Sequence, residues 1–223
     1  MKREILAASV LAVGEVTSLP AFLVLGPLAV VLVCTVDRRL WKVPVTAALV
    51  GFLAELAGTR TGVPFGPYHY NSPFTHLAVL GVPLPVVDAW SVFLLTSYLA
   101  SAGVERQSWI VGALLATLLD LSVDPVMVSA GFWSWRRVVG PTWFGVPWTN
   151  YVGWFIVSLL ALRISRTRNL KVDARPFVFP YLALPMSFAV SAKPQLREPL
   201  YLAAAIVILS IVFLWLSAYK RGG

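Results

Sequence analysis

The chain has 223 residues, of which 58% are hydrophobic and 13% charged, with a net charge of +8. A soluble domain devotes about a quarter of its residues to charge, so a water-exposed globule is excluded. The cations cluster beside apolar runs, the pattern that fixes membrane orientation, and form no basic helix or ribbon that would grip nucleic acid.

The runs are too continuous for barrel strands of about ten alternating residues, and open strand edges cannot face lipid. They predict an all-α fold: a polytopic transmembrane helix bundle of seven or eight spans, one integral domain over residues 1–223, with the lipid bilayer of the cell membrane as its partner. Met1-Lys2-Arg3 ahead of an apolar stretch has the look of a signal peptide, but Glu15 and the lack of a small-x-small cleavage site predict a retained first helix. Ile5 to Val36 is long for one span and short for two; Pro20 and Gly26-Pro27 leave a kinked helix or a tight hairpin. Cys34, the one cysteine, lies in this run, so neither a disulfide framework nor a thiolate metal site is expected.

The remaining spans are Val43–Gly58, Pro85–Gly103, Trp109–Val123, Val146–Ile164, Pro176–Ala192 and Pro199–Tyr219. The longest connections are Thr59–Leu84 and Asp124–Gly145, since Pro125 is expected to end the helix before it. Arg38, Arg39, Lys42, Arg106, the cluster Arg163, Arg166, Arg168, Lys171 and Arg175, and finally Lys220 and Arg221 fall on one side. That side is cytoplasmic, and the C-terminus with it. Both long connections, rich in Trp, Tyr, Gly and Pro, then lie outside. Gly-Val-Pro occurs in or beside them at Gly62, Gly81 and Gly145, where Gly permits an awkward backbone angle and Pro can start the next segment.

Five carboxyl groups lie in or beside spans: Glu15, Glu55, Asp88, Asp120 and Asp124. A carboxylate at membrane depth costs a few kcal/mol even on the lenient insertion scale, so such groups are functional, paired or water-facing. Asp120 and Asp124, four apart, share a helix face. The topology sets Glu55, Asp88, Asp120 and Asp124 near one depth beneath the aromatic connections, a setting that keeps a proton available for general-acid catalysis. The bland alternatives are interfacial anchoring by the aromatics and solvated helix ends for the acids. His69 and His76 lack a third ligand, so no metal site is expected.

The pattern Glu55-x-x-Gly58-x-x-Thr61-Gly62-x-x-Phe65-Gly66-x-Tyr68-x-Tyr70, then Asp120-x-x-x-Asp124-Pro125, Phe132-Trp133-x-Trp135, Gly145-Val-Pro-x-x-Asn150 and Gly153-Trp154 resembles the CruF-type carotenoid hydratases. The resemblance implies addition of water across the terminal C=C of an acyclic carotenoid, giving a tertiary alcohol. It further implies a lipophilic carotenoid substrate, no cofactor, and contact with other membrane enzymes of the carotenoid pathway. Asp124, Asp120 and Glu55 are the catalytic candidates. Tyr68, Tyr70, Asp88, Trp133, Trp135, Asn150 and Trp154 are the substrate-binding ones, the aromatics by cation–π attraction. The rival readings are a magnesium-dependent prenyltransferase built on Asp-x-x-x-Asp, a carotenoid cyclase, and a transporter using the buried acids.

Overall fold

The structure, a computed structural model, describes residues 2–71, 74–104, 109–138, 140–165, 170 and 172–222. Arg106, Arg166, Arg168 and Lys171, counted above toward orientation, lie outside these residues, as do the side chains of Lys220 and Arg221. The described residues form the helices α1 (Lys2–Glu15), α2 (Leu19–Val36), α3 (Lys42–Thr61), α4 (Leu84–Val104), α5 (Trp109–Ser129), α6 (Trp148–Ser165), α7 (Val178–Ser191) and α8 (Arg197–Gly222). The run Ile5–Val36 is thus two helices, broken at residues 16–18.

Among the described residues, four stretches are long and apolar enough to cross a membrane: Arg38–Thr61, Leu84–Gly103, Trp109–Ser129 and Pro194–Tyr219. The other helices are shorter or more polar. The 14 residues of α1 and of α7 rise only about 21 Å, against a hydrocarbon core of about 30 Å. Burial sorts the four: 72% of the apolar window in Leu84–Gly103 and 67% in Trp109–Ser129 is inside, against 33% in Arg38–Thr61 and 28% in Pro194–Tyr219. Helices α4 and α5 are therefore central, and α8 is peripheral. Large apolar side chains such as Leu53, Ile156, Val190 and Phe213 cover the outside, a surface that suits lipid and not water.

Small residues let the central helices meet. A Cβ on Gly51 would lie 2.4 Å from Cγ of Trp90, so α3 accepts the α4 indole only because that position is glycine. Pro125 does not end α5, which runs on to Ser129. Proline lacks the N–H that would bond the Leu121 carbonyl. The indole N–H of Trp143 takes that place, donating to Leu121 O at 3.0 Å.

Short strands organise the two long connections, a feature absent from the all-helical expectation. Strand β1 (Tyr68–Tyr70) pairs antiparallel with β4 (Trp133–Trp135), in the register Tyr68 to Trp135 and Tyr70 to Trp133. Two tight hairpins, β2 (Ala78–Val79) with β3 (Val82–Pro83), and β5 (Thr142–Trp143) with β6 (Val146–Pro147), lead straight into α4 and α6. Each turns on two successive residues of positive φ: Leu80 (53°) and Gly81 (88°), then Phe144 (46°) and Gly145 (89°). That is the geometry whose twist matches a two-residue hairpin.

In both places Gly-Val-Pro is followed, nine residues after the glycine, by a tryptophan: Trp90 and Trp154. The two indoles stack with centroids 4.1 Å apart. Helix–strand–hairpin–helix is therefore built twice, α3 to α4 and α5 to α6, with the β1–β4 ribbon and the indole pair joining the copies. The third Gly-Val-Pro is different. Gly62 (φ 79°) caps α3 by bonding Gly58 O at 2.8 Å, and Pro64 lies in the turn that follows.

Candidate active site

A cavity of about 120 Å³ is lined by the side chains of the β1–β4 ribbon, by residues of α2 to α7, and by Glu15 and Thr17 where α1 ends. Its wall is apolar and aromatic, and three carboxyl-bearing residues line it: Glu15, Glu55 and Asp124.

Strand alternation sets the roof. Side chains two apart share a face, so Tyr68, Tyr70, Trp133 and Trp135 turn to the cavity together. His69 and Ser134 face each other on the other side, 3.5 Å apart. Gly58 has no side chain to hold the ribbon off; Tyr68 Oη lies 3.1 Å from the place its Cβ would take. That close approach brings both tyrosines onto Glu55. Tyr70 Oη donates to Glu55 Oε2 at 2.6 Å, Tyr68 Oη donates to the same oxygen, and Trp90 Nε1 donates to Oε1 at 2.9 Å. Burial and the adjacent Glu55 carboxylate hold both phenols far above their ordinary range, so they stay neutral donors.

Across the cavity, Asn150 Nδ2 donates to Asp120 Oδ2 at 2.9 Å and also to Asp124 Oδ2. Trp133 hydrogen-bonds the Asp124 carboxyl as well. Asp124 and Asn150 line the cavity; Asp120, fully buried, stands behind them. The two aspartates come within hydrogen-bond reach of each other, which calls for a proton on one of them. Trp154, stacked on Trp90, and Trp135, whose indole donates to Phe65 O at 2.9 Å, complete the wall.

Asp88 is placed elsewhere: it is not among the lining residues, and its Oδ2 sits 2.9 Å from where a Cβ of Gly26 would be, against α2. Residues two apart on a helix do not share a face, so Trp90 turns to the cavity and Asp88 to α2. Trp90 is the site residue the motif reading missed. Its signal is the Gly81-Val-Pro segment, which stands nine residues ahead of Trp90 just as Gly145-Val-Pro stands nine ahead of Trp154. Glu15, one of the five acids in or beside spans and outside the set of site candidates, also lines the cavity. Among the described residues no group of three or more His, Cys, Asp or Glu could hold a metal ion.

Fold and site together define a membrane-embedded helical bundle with an acid-bearing, aromatic cavity. The chain belongs to the carotenoid biosynthesis protein family, which matches residues 18–214. It is 34% identical over 134 residues to the bisanhydrobacterioruberin hydratase of Haloarcula japonica, covering 57% of this chain and 45% of that protein. The match thus spans under half of the relative's length. No solved structure matches the chain.

Proposed function

We propose that the protein is a carotenoid hydratase, adding water to the terminal C=C of an acyclic carotenoid end group to give a tertiary alcohol. The observation that carries this reading is the meeting of carboxyl groups and aromatic faces in one small, largely apolar cavity. Family membership and the name of the Haloarcula japonica relative support it.

Size fits an end group. A cavity of about 150 Å³ takes a benzene molecule, so about 120 Å³ suits the last five or six carbons. The rest of the polyene stays along the apolar exterior or in lipid.

The chemistry follows from the donors around each acid. Protonating a trisubstituted alkene creates a high-energy tertiary cation. Asp124, sharing a proton with Asp120 beside Asn150, gives that proton to the less substituted carbon, and the positive charge appears on the tertiary one. Glu55, held by three donors, faces the charge from the other acid-bearing part of the cavity. Trp133, Trp135 and Trp154 present electron-rich faces, each worth about 0.5–2 kcal/mol to a cation. Water then adds to the cation and loses a proton. Such an addition uses no nucleotide, flavin or metal.

Expression in a carotenoid-producing host, followed by mass analysis of the pigments, tests the reading. Each modified end should gain the mass of one water. A product of unchanged mass would indicate cyclisation, and a chelator-sensitive activity would indicate magnesium-dependent prenyl transfer; either sinks the hydratase reading.

A further inference from the structure

Three carboxyl groups line the cavity, and two of them are engaged at the loop-side end. Glu55 takes donors on both oxygens, and Asp124 takes Asn150 and Trp133. Glu15 differs. It closes α1, is 4% exposed, and accepts a hydrogen bond from Thr96 Oγ1 on one oxygen, Oε1. Its other oxygen, Oε2, is buried with no hydrogen-bond partner among the described residues. Thr17, two residues on, lines the cavity too, as do the apolar side chains Phe22, Phe93, Leu184 and Phe188.

A buried carboxyl oxygen left without a donor is costly. A small hydroxyl molecule would satisfy it, whereas the hydrocarbon end group cannot. We propose that Glu15 is a further catalytic residue, which holds the water to be added through Oε2 and accepts its proton when the water captures the cation. This rests on the hydratase reading.

The step balances. A proton passes from Asp124 to the alkene carbon, forming the C–H bond. The water oxygen forms the C–O bond at the tertiary carbon, and the proton it sheds goes to Glu15. The two carboxyl groups then exchange protons with solvent to reset. Glu15 and Asp124 line one small cavity, so both serve the same short end group.

The test separates capture from protonation. Glu15→Gln keeps the side-chain volume and the bond from Thr96 but cannot take up the water's proton. Glu15→Met keeps the length and offers no polar atom. Membranes containing each variant are incubated with an acyclic carotene in D₂O, and both alcohol and recovered substrate are weighed. The wild type should hydrate. Both variants should form at least about 100-fold less alcohol, the scale of a lost acid–base group. Yet their recovered substrate should carry deuterium at the end group, because the cation still forms and, uncaptured, loses a proton again. Asp124→Asn should show neither hydration nor exchange. Hydration by both Glu15 variants at the wild-type rate overturns the inference while leaving the hydratase reading intact. Loss of hydration and exchange together also overturns it, since Glu15 would then serve protonation or folding instead. A wild type that hydrates nothing overturns the hydratase reading and this inference with it.

Discussion

At the residue scale the Asp120–Asn150–Asp124 group makes the sharpest demand. Asp124→Asn keeps the shape and removes the acidic proton, so turnover should fall at least about 100-fold while thermal stability and pigment binding persist, as read by product mass and by pigment co-purification. Trp133→Leu should slow the reaction less, by roughly a few-fold to thirtyfold, because one cation–π contact is worth about 0.5–2 kcal/mol. The tyrosines give a pH dependence. Folding raises both phenol pKa values, so their contribution is complete below the ordinary phenol value of about 10. It is lost as pH climbs above that, so the part of the stability that the tyrosines supply should be constant through neutrality and fall in alkali. Tyr70→Phe should remove part of that drop and destabilise by about 1–3 kcal/mol, since Glu55 loses a buried donor; thermal melts across pH would show both effects. The acids and aromatics could be read from the sequence because charge inside an apolar run is conspicuous. Which face each occupies could not. Asp88 and Trp90 are two residues apart, and only the packing of α4 against Gly26 and Gly51 decides which turns inward.

At the scale of elements, the helices are legible from their apolar runs, whereas the C-terminal end of α5 and the strands are not. Pro125 is an ordinary stop signal, overridden here because the freed Leu121 carbonyl finds the Trp143 indole 22 residues away in sequence. No local rule supplies a partner so distant. Trp143→Phe should therefore leave a carbonyl unpaired and cost about 1–3 kcal/mol, seen as a lower melting temperature. It should also loosen the β5–β6 hairpin, seen as faster amide exchange near residues 142–147. The β1–β4 ribbon was hidden for a similar reason. Three-residue strands carry almost no periodic signal, and their pairing joins segments 65 residues apart.

At the scale of the whole molecule, the arrangement of charge predicts a sided protein. Tags at the C-terminus and in the 163–175 connection should report a cytoplasmic location, and tags between Thr59 and Leu84 an external one. A cytoplasmic signal from the Thr59–Leu84 connection would invert the orientation proposed for the cavity. The doubled helix–strand–hairpin–helix unit carries like frames with unlike chemistry. Trp90 and Trp154 hold matching positions in the two units and stack on each other. Beside that seam the first unit sets Glu55 among two phenols and an indole, whereas the second carries the Asp120–Asn150–Asp124 group. A reaction that needs a proton at one carbon and water at its neighbour is lopsided by nature, and a chamber framed by two similar units meets that need only because their acids differ.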